Sequence, residues 1–184
     1  LSKKLGDRRI VMIGLILLGL GSVFFGDINL QINLSTIALP NILYGSGLFL
    51  ALTPLIPLSF STIKNEHMTN ATGLQNLVKN IGGAIGTSIG TTMVARFAQA
   101  HQHLMTNHLH DTSSVYVERI SALSGAFSQI ADSATAHTMA QGQIYSQLVQ
   151  QAHLWGYIDT FRWFAFATFL LIPMLVFIKK PKIT

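Results

Sequence analysis

The densest group of side chains that could do chemistry is a set of four histidines: His101, His103, His108 and His110. Imidazoles at this spacing are candidate ligands for zinc or copper. The chain has no cysteine, and Asp111 is the carboxylate that lies beside these histidines. Because a complete ligand set is missing, we expect solvated histidines and predict neither a metal site nor a cofactor.

A second group of polar side chains lies inside an uncharged apolar stretch, residues 34–63. It includes Asn41, Tyr44 and Thr53, with three prolines and two glycines among them. Proline removes a backbone donor and bends a helix, and in a membrane such bends persist where neighbouring helices or water satisfy the freed carbonyls. Two interpretations stay open: these residues border an aqueous cavity, or they make hydrogen bonds where helices pack.

Asp159 and Arg162 lie three residues apart, which places them on one face of a helix and allows them to pair. Nothing in the chain combines a nucleophile, a base and oxyanion donors. It also contains no phosphate-binding loop and no HExxH motif. We therefore do not expect an enzyme.

Four apolar stretches must position these residues, and Lys79 near the start of the third is the one charged residue inside them. They are residues 10–25, 34–63, 77–95 and 163–178. A bilayer core is about 30 Å thick, so a spanning helix needs roughly 20 apolar residues. Charged residues make up 10% of the chain, against roughly 25% in soluble domains. The fold class predicted is an all-α integral membrane protein with four transmembrane helices.

The basic residues lie at the ends of these stretches, although the net charge of +5 could suggest a nucleic-acid partner. A nucleic-acid interface would need a basic stripe with interleaved aromatics, so we expect no such partner. Nine lysines and arginines fall on one side of the membrane, and three fall on the other: Arg96, Arg119 and Arg162. Basic residues favour the cytoplasmic side, which predicts two cytoplasmic termini.

Glycines recur in two of the stretches. The first stretch contains Gly14, Gly19 and Gly21. The third contains the most regular set: Gly82, Gly86 and Gly90 at every fourth residue, with Gly83 beside them. Small residues allow helix backbones to approach closely in lipid, so we expect both sets to pack against other helices.

Residues 98–154 differ from the rest because they are rich in glutamine, histidine, serine and alanine. Apolar residues recur there at steps of three and four: Val117, Ile120, Leu123, Phe127 and Ile130. This pattern is typical of an amphipathic helix. We therefore divide the chain into residues 1–97 with three membrane helices, residues 98–154 as an extracytoplasmic helical hairpin, and residues 155–184 with the last membrane helix and tail.

Residues 73–86 read Gly-Leu-Gln-Asn-Leu-Val-Lys-Asn-Ile-Gly-Gly-Ala-Ile-Gly. They resemble the penultimate span of the fourteen-helix drug:proton antiporters of the major facilitator superfamily, the EmrB/QacA type, whose pattern there is GLxNxxRQxGGAxG. The matched motif residues are Gly73 and Asn76, with Lys79 in place of the usual arginine and Asn80 in place of the usual glutamine.

The resemblance implies that the chain is a fragment, the last four of fourteen helices, in the cytoplasmic (inner) membrane. Its implied partners are the lipid bilayer, the ten N-terminal helices of the same polypeptide, protons, and lipophilic or cationic small molecules. Similar transporters of two-membrane bacteria also work with a periplasmic adaptor. The function expected is proton-coupled multidrug efflux, and hence drug resistance, by alternating access. The helix order of the superfamily also implies that the second stretch faces the central cavity, with Asn41, Tyr44 and Thr53 lining the substrate site. The alternative is a small four-helix membrane subunit that docks a partner through its outer hairpin.

Overall fold

The computed structural model describes residues 6–30, 33–60, 63–107, 109 and 113–177. Within these ranges all regular elements are helical, as predicted. They are α1 (Asp7–Phe25), α2 (Leu34–Leu52), α3 (Leu55–Phe60), α4 (Met68–Thr106), α5 (Ser114–Phe127) and α6 (Ser133–Phe177), with a short 3-10 helix at Asn65–His67 before α4.

Two described segments are long and apolar enough to cross a membrane, Asp7–Phe25 and Thr36–Pro57. They coincide with the first two apolar stretches of the sequence. Residues 77–95 of the third stretch lie within α4, and residues 163–177 of the fourth lie within α6; these helices have 39 and 45 residues. Both segments are helical, but by length and composition of the described residues they do not qualify as spans. The count of four membrane helices therefore stays a prediction.

The second apolar stretch is interrupted, as its prolines predicted. α2 ends at Leu52, Thr53 and Pro54 form a turn, and α3 begins at the next residue. Pro54 has no N–H to donate to the carbonyl of Leu50, four residues earlier. Pro40, in contrast, lies inside α2 without ending it.

The chain forms two compact units, one of residues 1–91 and 158–184 and the other of residues 92–157. In the first unit, glycines bring α1 and α2 into backbone contact. A Cβ added at Gly14 would lie 2.5 Å from the nitrogen of Ala51, and one added at Gly47 would meet the nitrogen of Leu18. Separations under 3.0 Å do not occur for real Cβ atoms. The close packing predicted for glycines of the first stretch is confirmed here.

The second unit has its core where α5 packs on α6. Ile120, Ala140 and Ile144 are buried there, and Tyr116, Leu109, Leu123 and Phe127 pack against them. The amphipathic helix predicted for this region is confirmed, with two differences at its edges. Val117 is 47% exposed because Tyr116 occupies the core-facing position, and Ile130 is 76% exposed because α5 ends at Phe127.

Asp132 caps the N-terminus of α6, and its Oδ2 accepts a hydrogen bond from the backbone N–H of Thr135 at 3.3 Å. Side-chain and backbone hydrogen bonds from Thr135 lower the pKa of this carboxyl below its ordinary value. An aspartate at this position satisfies one of the free N–H groups of the first helical turn. The cap therefore fixes where α6 begins.

Candidate functional site

Tyr44 lies in an aromatic cluster formed by α1, α2 and α6. Its ring meets Phe25 edge-on, with centroids 6.1 Å apart at 77°, and meets Phe161 at 6.4 Å and 89°. Phe25 and Phe161 are stacked on each other at 4.7 Å. Phe164 extends the cluster along α6, with its centroid 6.4 Å from that of Phe161. The cluster joins three helices of the first unit.

The approach of α2 to α1 at this cluster is set by Gly21. A Cβ there would lie 2.6 Å from the backbone nitrogen of Tyr44. The Tyr44 side chain is half-buried, so part of its aromatic surface remains available. Edge-to-face pairs contribute about 0.5–1.5 kcal/mol beyond area burial, and an aromatic face attracts a cation by about 0.5–2 kcal/mol. The ring can therefore support packing and cation binding at once.

Asn41 and Thr53, the other residues predicted to line a cavity, are both exposed. Each uses one donor within the helix: Asn41 Nδ2 donates to the carbonyl of Ile37 at 3.1 Å, and Thr53 Oγ1 donates to that of Phe49 at 2.7 Å. Asn41 and Tyr44 are three residues apart and share a face of α2. Thr53 follows Tyr44 by nine residues. On a continuous helix this separation is about 13.5 Å along the axis and about 180° around it, so the two side chains would lie on opposite faces.

Most of the glycine set of α4 lies open, with Gly90 as the exception. Among the described residues, no heavy atom outside the helix backbone is within 4 Å of a Cβ added at Gly82, Gly83 or Gly86. At Gly90 such a Cβ would lie 3.4 Å from Cζ of Phe164. Three isoleucines of the same helix are also more than half exposed: Ile81, Ile85 and Ile89.

The family-motif residues of α4 share this openness. Gly73, Asn76, Lys79 and Asn80 are all exposed. Further along α4, the hydroxyl of Thr87 donates to the carbonyl of Gly83 at 2.8 Å. These polar side chains and the glycines form a surface that the described residues leave uncovered.

Arg162 joins α6 to the end of α1. Its Nη1 lies 3.7 Å from Oδ1 of Asp159, the pair predicted from the sequence, and its Nη2 lies 3.8 Å from Oδ1 of Asp27. Gly26 makes room for this arrangement, since a Cβ there would lie 3.0 Å from Cγ of Arg162. Sequence reasoning missed Asp27 and the two phenylalanines that contact Tyr44. The sequence carried one signal for these contacts. Phe25 and Asp27 lie at the end of the first apolar stretch, and Phe161 and Arg162 lie just before the fourth.

The histidine region belongs to the second unit. The ring of His101 lies 5.7 Å from that of Trp155, and Gln102 Nε2 donates to the hydroxyl of Tyr145 at 2.8 Å. The described part of the chain contains no group of three or more histidine and carboxylate side chains arranged to hold a metal. Three of the residues singled out as candidate ligands lie outside the described residues: His108, His110 and Asp111.

No family model matches the chain, and no solved structure matches it. Curated proteins do. The chain is 24% identical to the colistin resistance protein EmrB of Acinetobacter baumannii over 175 residues, which cover 95% of the chain and 34% of that protein. It is 25% identical to the probable multidrug resistance protein EmrY of Escherichia coli K12 over 154 residues, which cover 83% of the chain and 28% of that protein. It is 28% identical to the multidrug export protein EmrB of the same strain over 144 residues, 78% of the chain and 27% of that protein.

The chain is homologous to EmrB-type multidrug proteins. The predicted resemblance to the EmrB type is thereby confirmed. Because the match to the Acinetobacter EmrB protein covers 95% of the chain, it runs from α1 to α6. The chain spans about a third of the length of these EmrB-type relatives.

Proposed function

We propose that this chain forms part of a multidrug efflux transporter that exchanges lipophilic or cationic compounds for protons. The observation that carries this proposal is the similarity to three multidrug resistance or export proteins over 78–95% of the chain. The two apolar helices packed through glycines fit a membrane-embedded role. In this proposal the remaining helices belong to the same polypeptide, and transport proceeds by alternating access.

The open face of α4 is assigned a role in the same proposal. A Cβ added at Gly82, Gly83 or Gly86 would meet no described heavy atom within 4 Å outside the backbone of α4. Small residues at every fourth position favour close contact between helices in lipid. In the full-length transporter this face would pack on helices of the missing part. The glycines would then permit one helical half to move against the other at short range.

The experiment that tests transport uses the full-length reading frame in a bacterial strain without its own multidrug exporters. We expect the protein to raise resistance to several unrelated lipophilic cations and to lower accumulation of a fluorescent one. We expect this efflux to stop when a protonophore collapses the proton gradient. The 184-residue chain expressed alone should give no efflux. Resistance from the chain alone, or efflux that survives the protonophore, would refute the proposal in its present form.

The orientation follows from the positions of the basic residues. In this proposal residues 98–154 lie outside the cytoplasm and both termini of the chain lie inside. A cysteine introduced at Ser114 of α5 should react in intact cells with a maleimide that cannot cross membranes, and one at Asn65 should not. The reverse labelling pattern would invert the orientation.

Tyr44→Ala should lower export of organic cations selectively. The ring is half-buried beside Phe25 and Phe161, and loss of one cation–π contact corresponds to about a two- to thirtyfold loss in binding. Neutral lipophilic compounds should be affected less. The measurement is a set of resistance profiles across several compounds, normalised to the amount of protein in the membrane.

Tyr44→Phe is the matched control because it keeps the ring and removes only the hydroxyl. It should export cations at close to the original level. A uniform fall across all compounds that follows the protein level in Tyr44→Ala would mean that the ring serves packing alone.

A further inference from the structure

A cavity of about 350 Å³ opens on the surface of the first unit, lined by Asp159, Arg162, Trp163 and Phe166. All four residues come from one face of α6, at steps of three and four along the chain. Trp163 and Phe166 are 53% and 60% exposed, and their rings meet edge-on at 5.9 Å. The cavity thus combines an acid–base pair with two accessible aromatic surfaces.

The cavity lies where two apolar segments end. In α6, no charged residue follows Arg162 up to the helix end at Phe177. In α1, the residues from Ile10 to Gly26 are uncharged, and Asp27 follows them. Because Nη2 of Arg162 lies 3.8 Å from Asp27, both apolar segments end at the same level. Tryptophan is enriched at membrane boundaries of this kind, so in the membrane arrangement of the proposed function, on which this inference rests, the cavity lies at the depth of lipid headgroups.

The guanidinium of Arg162 can donate hydrogen bonds to a further ligand. Its distances of 3.7 and 3.8 Å to Asp159 and Asp27 exceed the roughly 2.7–3.2 Å of an N–H···O hydrogen bond. Its side chain is 52% exposed. An arginine in this state can donate two parallel hydrogen bonds to a phosphate, a geometry that favours arginine over lysine.

We propose that this cavity binds one phospholipid whose headgroup carries a primary ammonium group, as in phosphatidylethanolamine. The order of side chains along α6 matches the order of groups in that lipid. Asp159 lies farthest from the apolar segment and faces the ammonium, Arg162 binds the phosphate, and the two aromatic rings contact the glycerol and upper acyl chains. The eight residues from Asp159 to Phe166 span about 10 Å, since each of the seven steps between them rises about 1.5 Å.

Other headgroups match the same side chains less well. A choline headgroup carries a quaternary ammonium with no N–H to donate to Asp159. A glycerol headgroup has no cation, so the phosphate would approach Arg162 while Asp159 faced an uncharged group. A water-soluble phosphate would leave the aromatic rings without a partner. The cavity therefore selects for the ammonium, the phosphate and the acyl chains together.

The test measures quenching of Trp163 fluorescence by phospholipids brominated near the acyl carbonyl. The full-length protein, with its other tryptophans replaced by phenylalanine (Trp155→Phe in this chain), is reconstituted in nanodiscs. The brominated lipid is of the ethanolamine, choline or glycerol type at equal acyl composition. For the ethanolamine lipid we expect half-maximal quenching at a mole fraction about two- to fivefold lower than for the choline and glycerol lipids. This factor corresponds to the contribution of one partly exposed ion pair to binding.

Two variants separate the cavity from the ion-pair network. Asp159→Asn should remove the preference for the ethanolamine lipid over the choline lipid. Asp27→Asn also loses a pair with Arg162 but does not line the cavity, so it should keep the preference. Equal quenching by all three lipids, or a preference that survives Asp159→Asn, would overturn the proposal.

Soluble glycerophosphoethanolamine, which lacks acyl chains, should not displace the brominated lipid at an equal concentration. Displacement by it would show a site for a free headgroup instead of a lipid and would also overturn the proposal. If Asp159→Asn fails to fold, as judged by its unfolding transition, the comparison of the three lipids on the unmodified cavity decides alone.

Discussion

Gly47→Ala is expected to destabilise the folded protein strongly, although it adds a single methyl group. That group would meet the backbone nitrogen and Cα of Leu18 and the carbonyl oxygen of Gly14. Backbone atoms cannot rotate away as a flexible side chain can, so α1 and α2 would have to separate along their whole contact. Overpacking of this kind costs about 1–3 kcal/mol, and we expect the upper end of that range. The measurement is thermal unfolding of the protein purified in detergent, with the yield of monodisperse protein.

Gly45→Ala provides the matched control in the same helix. A Cβ at Gly45 has no described heavy atom within 4 Å, and alanine favours a helix over glycine by about 0.5–1 kcal/mol. This variant should therefore unfold at the same temperature as the unmodified protein or at a higher one. If Gly47→Ala and Gly45→Ala behave alike, the close contact between α1 and α2 is not present in the protein.

The two sets of glycines show what sequence periodicity can and cannot predict. The set in α4 is the more regular, at every fourth residue, yet Gly82 and Gly86 lie open in the described structure. Gly14 and Gly47 lie on different helices and form no repeat, yet they make the closest contacts. Spacing within one helix predicts which residues share a face. It does not predict which segment covers that face, because the partner comes from a distant part of the chain or from outside it.

The aromatic cluster illustrates the same limit. Tyr44 was singled out because of its own chemistry and its place in an apolar stretch. Its partners Phe25 and Phe161 come from helices that are far apart in sequence. In the same way, the pair of Asp159 and Arg162 follows from helix geometry, whereas the contact with Asp27 depends on how α1 packs against α6.

The prolines of the second stretch were predicted to bend it, and the structure places the break at only one of them. Pro54 and Pro57 are three residues apart, so two backbone donors are lost within one turn, to the carbonyls of Leu50 and Thr53. Pro40 removes a single donor, and hydrogen bonds on both sides hold α2 together. The number of backbone N–H donors lost in one turn thus explains why α2 continues past Pro40 and ends at Leu52.

Gly86→Leu is expected to abolish export by the full-length protein. Apart from the backbone of its own helix, no described heavy atom lies within 4 Å of a Cβ added at Gly86, so the substitution should leave the packing of this chain unchanged. In the proposed transporter, however, this face contacts helices of the missing part through small residues. A leucine there would force the helices apart and should reduce efflux by more than about tenfold, or about 1.4 kcal/mol. The measurement is efflux of a fluorescent cation per amount of membrane-inserted protein.

Ser88→Leu is the control for a bulky apolar side chain at the same depth of α4. Ser88 is exposed, and two residues turn a helix by about 200°, so its side chain lies on the opposite side from Gly86. It should export at close to the unmodified level, because a leucine facing lipid loses nothing by exposure. Normal efflux in both variants would mean that the glycine face of α4 also looks onto lipid, and its assignment to the contact with the missing helices would have to be withdrawn. A loss in Gly86→Leu alone, at an unchanged protein level, would place a moving helix contact at this glycine.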